Sequence, residues 1–398
     1  MNANWQIAAL GDVVRYRKEF IEINDLENYK RCRVKLHAQG VVLRDVARGA
    51  EIKTKKQQVC RMGEFLVAEI DAKAGGFGIV PSDLDGAIVS SHYFLFEVDE
   101  SKLNRRFLDF YIRTRGFRDQ VTAQGSTNYA AVRPNEVLGY RIPLPPLEEQ
   151  HRIVARIEEL TAKIEEARGL RREVVAEADH LTRRQLARIF NRLAGDYRQT
   201  DFNELVDDAG YGTSVRCDYE RGQNAIPVLR IPNVASERMH FGDLKYGTIP
   251  ESERVRTIVS SGDILIVRTN GSAELVGRCA VVPQTSEPTA FASYLIRLRP
   301  NKEIADSDYM QWALRHLRLD GQLFDLARTT AGQYNVSLGR LYAARIPLPP
   351  LREQHRIVAY LDGLQAKVDA LKRLQAETAA ELDALLPSVL DRTFRGEL

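Results

Sequence analysis

One stretch of this sequence is written twice. Residues 141–155 read RIPLPPLEEQHRIVA and residues 345–359 read RIPLPPLREQHRIVA, an offset of 204. Across 141–164 and 345–368 seven positions differ (148, 156, 157, 158, 159, 161, 164) and 17 of 24 are identical. The register then runs without a gap to the C-terminus: Leu181 falls on Leu385, Leu186 on Leu390, Arg188 on Arg392 and Phe190 on Phe394. The second copy is 54 residues long, 345–398. The segments ahead of the copies are related more faintly. Gly63-Glu64-Phe65-Leu66 resembles Gly262-Asp263-Ile264-Leu265, Val80-Pro81 resembles Val282-Pro283, and 91–115 resembles 293–317. There the offset drifts from 199 to 202 to 204, as loop insertions and deletions would make it. A period this long indicates two domains rather than a solenoid.

The repeated unit opens with prolines. Pro143 and Pro146, with Pro347 and Pro350 in the second copy, forbid helix and favour extended backbone. A strand exit followed by a helix start is expected; a P-x-x-P ligand is the competing account. The apolar residues that follow step 4, 3, 4, 3: Ile153, Ile157, Leu160, Ile164, Ala167, and in the second copy Ile357, Leu361, Leu364, Val368, Leu371. That stripe resumes at Leu382, Leu385 and Val389. It reads as a coiled-coil seam with solvated Glu, Arg and Lys flanks. About 45 helical residues make a rod of roughly 65–70 Å. Alone, such a helix leaves its stripe in water, so the simplest partner for each copy is the other. Glu149, Gln150 and His151, and their mates Glu353, Gln354 and His355, sit at the helix starts. No H-E-x-x-H pattern accompanies the histidines, which favours a junction or partner-docking role over metal ligation.

The diverged segments mix short strands with few helices. DILIVRT (263–269), ASYLIRLR (292–299) and HYFLFEV (92–98) are β-branched or aromatic. Turn signals such as Asn270-Gly271 and Asp85-Gly86 punctuate them. Two compact α+β domains follow. Near the end of each lies a polar, glycine-bearing loop, QGSTNYAAV (124–132) and TTAGQYNVS (329–337). Asn reads base edges and Tyr stacks on exposed bases. Ser126, Asn128 and Tyr129, and in the second loop Thr330, Gln333, Tyr334 and Asn335, are therefore candidate nucleic-acid contacts. Lys53, Lys55 and Lys56 are candidates for phosphates, and Arg268 and Asn270 for a groove, with a turn role for Asn270 competing. The cluster Gly75-Gly76-Phe77-Gly78 lacks G-x-G-x-x-G spacing and reads as a hairpin connection.

Composition leaves the partner open: 57 Lys+Arg against 54 Asp+Glu give a net charge of +3. Phosphate contact depends on how that charge is distributed. Cysteines 32, 60, 217 and 279 form no C-x-x-C, so thiols in a reducing compartment are expected rather than a zinc site. No apolar run approaches a membrane span, and the N-terminus carries no basic n-region ahead of an apolar run, so a cytoplasmic location is the expectation. Neither a P-loop, a G-x-S-x-G elbow, an amino-methyltransferase tetrapeptide nor a nuclease set occurs. A duplicated binder without chemistry is the reading this favours.

A diverged domain, then IPLPPL-x-EQ-x-x-IV heading a long helix, then the same again closing with LLPSVLDRTFRGEL, resembles the specificity (S) subunits of type I restriction–modification systems along the whole chain. YGTSV (211–215), IPVLRIPNV (226–234), SGDILIVRTNGS (261–272), VGRCAVV (276–282) and GQYNVSLGRL (332–341) resemble that family's target-recognition domain. Thr213 and Arg230 join the candidate DNA contacts on these motifs. The first half departs in wording: GDVVRYRKEF (11–20) stands where a glycine-and-threonine loop is typical.

The resemblance implies an α+β chain of two tandem target-recognition domains, 1–140 and 196–344. Two long repeat helices, 141–195 and 345–398, separate them and pair as an antiparallel coiled coil with a pseudo-two-fold. Each domain would read half of a bipartite double-stranded DNA target, with the helices as spacer. Two methyltransferase (M) subunits would dock and supply S-adenosylmethionine chemistry. Restriction (R) subunits would bring ATP and Mg. The chain itself would bind no cofactor and be no enzyme. Two other readings stay open: a coiled-coil nucleic-acid-binding adaptor outside restriction, and a fused DNA methyltransferase whose catalytic residues go unrecognised.

Overall fold

The computed structural model describes residues 5–122, 131–325, 328–330 and 332–397. The chain folds into two compact units. Unit 1 combines Met1–Arg172 with Gln375–Leu398, and unit 2 is Glu173–Leu374. Each unit therefore holds the start of one repeat helix and the tail of the other.

In unit 1 a four-stranded antiparallel sheet runs in the order Val14–Arg17, Tyr93–Val98, Phe65–Ala68, Phe77–Ile79. Apart from Glu97, its central strands are apolar or aromatic because both faces are covered. Phe65 and Phe96 enter one core with Phe77, Phe107 and Phe117, while Leu66 and Leu95 enter another. The expected hairpin connection holds the glycine cluster. Gly75 has φ +79°, and a Cβ on it would lie 2.7 Å from the Ala38 nitrogen, so only glycine fits. A second, five-stranded sheet runs Phe20–Glu22, Lys56–Val59, Ile88–Val89, Asn28–Val34, Val41–Arg48. Ile88–Val89 and Asn28–Val34 are parallel there.

Unit 2 repeats the first arrangement with different words: Val206–Tyr211, Leu295–Pro300, Ile264–Val267, Cys279–Val281, in the same spatial order. Its second sheet is shorter, Lys245–Gly247, Ile226–Leu229, Ala290–Phe291, again with one parallel pair. One expectation needs correcting. The stretch 329–337 is no plain loop. Arg328–Thr330 and Gln333–Asn335 form a hairpin that adds to Thr269–Asn270 as a three-stranded sheet.

The proline-rich openings behave as expected. Arg141–Pro143 pairs with Ile7–Ala9 and Arg345–Pro347 with Gln199–Asp201. Helices begin right after Pro146 and Pro350, whose carbonyls accept from the amides of Gln150 and Gln354. The first long helix is unbroken over 50 residues, Leu147–Asp196. The second is in two pieces, Leu351–Glu377 and Ala379–Phe394, with Thr378 between them.

The helices pair antiparallel within each unit. In unit 1 Arg168 meets Asp383 at 2.6 Å. Arg171 there donates to the Gln375 carbonyl (2.6 Å) and side chain (2.7 Å), and to the Thr378 carbonyl (3.0 Å) and hydroxyl. Its fork thus satisfies carbonyls that the break at Thr378 frees. In unit 2 Lys372 meets Asp179 at 2.6 Å. Ile153, Ile157 and Ile164 are buried and Leu160 half-buried; Ile357, Leu361 and Val368 are buried and Leu364 half-buried. The seam departs from expectation in the tails. Leu385 is 46 % exposed, and Leu386 and Leu390 turn inward instead. Its mate Leu181 is also exposed, beside buried Thr182 and Leu186. The tails step by four, through Ala178, Thr182, Leu186 and Phe190, because there the helix packs into a globular core rather than a partner helix alone.

Candidate nucleic-acid interface

The junction explains one repeated residue completely. Gln150 is fully buried. Its Oε1 accepts from the Asn104 amide (2.8 Å) and its Nε2 donates to the carbonyls of Lys102 (2.8 Å) and Pro145 (2.9 Å). Gln354 does the same with the Asp306 amide (2.8 Å) and the carbonyls of Ile304 (2.9 Å) and Pro349 (2.8 Å). Asn104 and Asp306 are themselves the N-caps of the helices Arg105–Tyr111 and Ser307–Leu319. One glutamine thus ties each long helix to its own domain at two points and to the proline-rich turn ahead of the helix at a third.

Its neighbours face outward. Glu149 pairs with Arg152 at 2.7 Å and Glu353 with Arg356 at 2.5 Å. His151 is exposed, and His355 lies 3.5 Å from Asp306 with most of its ring in solvent.

The tails close each core. Phe394 packs edge-on against Phe107 (5.0 Å between centroids) in unit 1. Its mate Phe190 stacks on Tyr309 (5.7 Å) and His316 (5.0 Å) in unit 2. Corresponding carboxylates hold the turns before the central strands. Glu64 accepts from the Arg61 amide and from Arg17, and Asp263 from the Ser260 amide and from Arg299. The partner arginine comes from a different strand in each unit.

The candidate DNA contacts separate into anchored and open groups. Thr213 is buried. Its hydroxyl donates to Glu253 (2.9 Å) and accepts from the Val215 amide (3.2 Å), so it is scaffold rather than a groove contact. The adjacent glycine is required, since a Cβ on Gly212 would fall 2.1 Å from the Phe291 carbonyl oxygen. Lys55 is tied to Asp25 and to the Gly49 carbonyl. Lys56 lies over the Phe20 ring (5.1 Å) and Lys53 is exposed. Arg230 binds the Asp243 carboxylate (2.9 Å) and carbonyl (2.7 Å). Arg268 stacks over Tyr211 at 4.4 Å.

Asn270 accepts from the Ser272 amide (2.8 Å), the turn role weighed above, yet pairs in register with Tyr334. Gln333 is exposed, Tyr334 and Asn335 half-buried, and the Asn335 Oδ1 has no hydrogen-bond partner among the described residues. Thr330 pairs with Gln333. The three-stranded sheet therefore brings Asn270, Thr330, Gln333, Tyr334 and Asn335 together beside Arg268. Ser126, Asn128 and Tyr129 lie outside the described residues.

Unit 1 carries a feature that no candidate set included as a whole. A cleft of about 640 Å³ is lined by Arg31, Arg33, Arg44, Glu51, Lys53 and Tyr93, among others. The guanidinium of Arg31 forks onto Asp45 (2.6 and 2.8 Å), which holds that carboxyl below the usual carboxylate range. The sequence signal was the alternation Arg31-Cys32-Arg33, which in a strand puts both arginines on one face. Among the described residues, no cluster of three or more His, Cys, Asp or Glu is placed to hold a metal ion, and no helix is long and apolar enough to cross a membrane.

The comparisons with known proteins agree on one family. The family model described as Type I restriction modification DNA specificity domain matches residues 2–174 and 218–379. The specificity subunit of the type I restriction enzyme EcoKI from Escherichia coli (strain K12) is 25 % identical over 305 residues, 73 % of this chain and 65 % of that protein. The StySPI specificity subunit from Salmonella potsdam is 24 % identical over 311 residues, 75 % of this chain and 66 % of that protein. The matches thus span just under two thirds of these curated relatives. Among solved structures, a chain from work on complex assembly and conformational transition of the type I R-M system superposes with TM-score 0.75 at 28 % identity, covering 100 % of this chain and 99 % of that one. The HsdS subunit from Thermoanaerobacter tengcongensis gives TM-score 0.62 at 28 % identity, covering 100 % and 98 %.

Proposed function

The chain belongs to the type I restriction–modification DNA specificity family, and on that premise we propose that it is the non-catalytic DNA-recognition subunit of a type I restriction–modification complex. Residues 1–140 and 196–344 are its target-recognition domains, each reading one half of a bipartite duplex target. Residues 141–195 and 345–398 are the spacer and docking helices. The observation that carries the reading is the contrast between frame and filling. The same sheet order and the same buried glutamine occur in both units, while the exposed side chains differ. A protein reading two different half-sites from equivalent platforms has this character.

Two methyltransferase subunits fit the same contrast. Burial accounts for the identity of Gln150 and Gln354. It does not account for exposed His151 and Arg152, beside half-buried Glu149, recurring as His355 and Arg356 beside Glu353. One partner type bound twice supplies the missing reason. In that complex the methyltransferase brings S-adenosylmethionine, and restriction subunits bring ATP and Mg.

The test is co-expression with the neighbouring methyltransferase and genome-wide mapping of methylated adenines. A bipartite motif is expected. Soluble, associated proteins that leave no motif would count against the reading. A fused methyltransferase would instead bind S-adenosylmethionine as the isolated chain in equilibrium dialysis.

A further inference from the structure

We propose that the cleft over the strand Asn28–Val34 in unit 1 is a phosphodiester-binding groove for duplex DNA, with Arg33 as its central contact; the proposal rests on the DNA-recognition reading above. The strand turns Cys32 and Val34 into a core and so presents Arg31 and Arg33 on its other face. Four cations line the cleft, Arg31, Arg33, Arg44 and Lys53, with Glu51 among them. Arg31 is neutralised by its fork on Asp45. Arg44 is 58 % exposed and lies 3.6 Å from that already engaged carboxylate. Arg33 and Lys53 are exposed, and among the described residues neither has a carboxylate at ion-pair distance. Packing and internal pairing therefore give no reason for a cation at 33. A polyanion does.

A second observation comes from strand register. In unit 1 Arg31 pairs with Ile88 across the parallel ladder, and in unit 2 Val228 pairs with Ala290. Ile88 and Ala290 correspond at the offset of 202 that relates the surrounding residues. Arg33 and Arg230, each two residues beyond its paired residue, are therefore equivalent, Arg33 inside its strand and Arg230 just past Ile226–Leu229 as the N-cap of Ile231–Val234. Unit 2 braces its arginine against Asp243, whereas unit 1 leaves its arginine open to the cleft. The same position carries a guanidinium in two domains whose surfaces otherwise differ. That suits a contact to the DNA backbone, which is common to any target sequence, better than a contact to bases.

The test uses the full-length chain and a labelled generic DNA duplex, with binding followed by fluorescence anisotropy across a salt series. Arg33→Ala, Arg44→Ala and Lys53→Ala, singly and together, are compared with Lys163→Ala, which removes the same charge from the first long helix. Each cleft substitution is expected to lower the slope of log affinity against log salt by about 0.9, and Arg33→Lys to restore most of it. Circular dichroism checks that the exposed substitutions leave the fold intact. If the wild-type chain binds and the triple variant keeps its slope, the groove assignment is wrong while the DNA-recognition reading stands. If the wild-type chain does not bind DNA, or prefers an RNA duplex, both fall.

Discussion

Gln150 and Gln354 show how a residue can be conspicuous in a sequence while the reason for it stays hidden. Their recurrence was legible, and so was their place at a helix start. Their burial was not, because two of the three backbone groups each one satisfies come from residues 46–50 positions earlier. Gln354→Ala removes three hydrogen bonds and strands buried backbone groups, so a loss of about 2–3 kcal/mol is expected in urea unfolding, and a similar loss for Gln150→Ala. A loss near zero at either site would show that the junction is held by the prolines and strands alone.

His316 was not singled out in the sequence, since only the fold brings it to Phe190. Burial pushes its pKa below the ordinary histidine value, against a weaker upward pull from Asp320. The unfolded chain therefore takes up the proton more readily than the folded one. The contribution of His316 is full above about pH 6.5 and is lost as pH falls from there through the depressed folded value. Melting temperatures taken between about pH 7 and pH 5 should drop more steeply for wild type than for His316→Phe, which keeps the stack without the charge. Equal slopes would remove this histidine from the account.

At the scale of elements, the heads of the repeat helices were readable because a heptad is a local pattern. The tails were not, because their facing side is decided by a core assembled from distant strands. Leu361 and Leu385 test the distinction. Leu361→Ala should cost about 2–4 kcal/mol by opening a cavity, whereas Leu385→Ala, on the solvent side, should stay within about 0.5 kcal/mol. Comparable losses at both would restore the simple heptad through the tail.

Arg171 belongs to the same scale. It forks onto the segment around Thr378, where the second helix breaks and the first continues. Arg171→Ala should raise amide hydrogen exchange at 375–382 by about tenfold without changing the strands. Unchanged exchange would mean the break needs no outside support. The pair Arg328–Thr330 and Gln333–Asn335 was read as a loop because Gly and Asn weigh against a strand. It is a strand pair through its register with Thr269–Asn270, which local sequence does not announce.

For the molecule as a whole, the duplication was legible from its frame: the shared helix heads, the drifting offsets, and strands in matching order. The second sheet was not, because its strands number five in one unit and three in the other. If the repeat helices are the spacer, deleting two turns from both should shorten the gap between half-sites by about three base pairs, at 1.5 Å per residue and 3.4 Å per base pair, and leave both half-site sequences unchanged. Mapping of methylated adenines reads this directly. Altered half-sites with an unaltered gap would separate spacing from the helices.

The division of the chain between its two units also sets an order of events during synthesis. Unit 2 is one continuous stretch, Glu173–Leu374, and is complete in sequence before the last helix is made. Unit 1 is written at both ends. Its core waits for Leu386, Leu390 and Phe394 to cover Phe107 and Tyr111. The order in which the two units become complete in sequence is therefore the reverse of the order in which they begin. The second unit to begin is the first to hold all of its residues, and the first unit gains its last core side chains only with Gln375–Leu398.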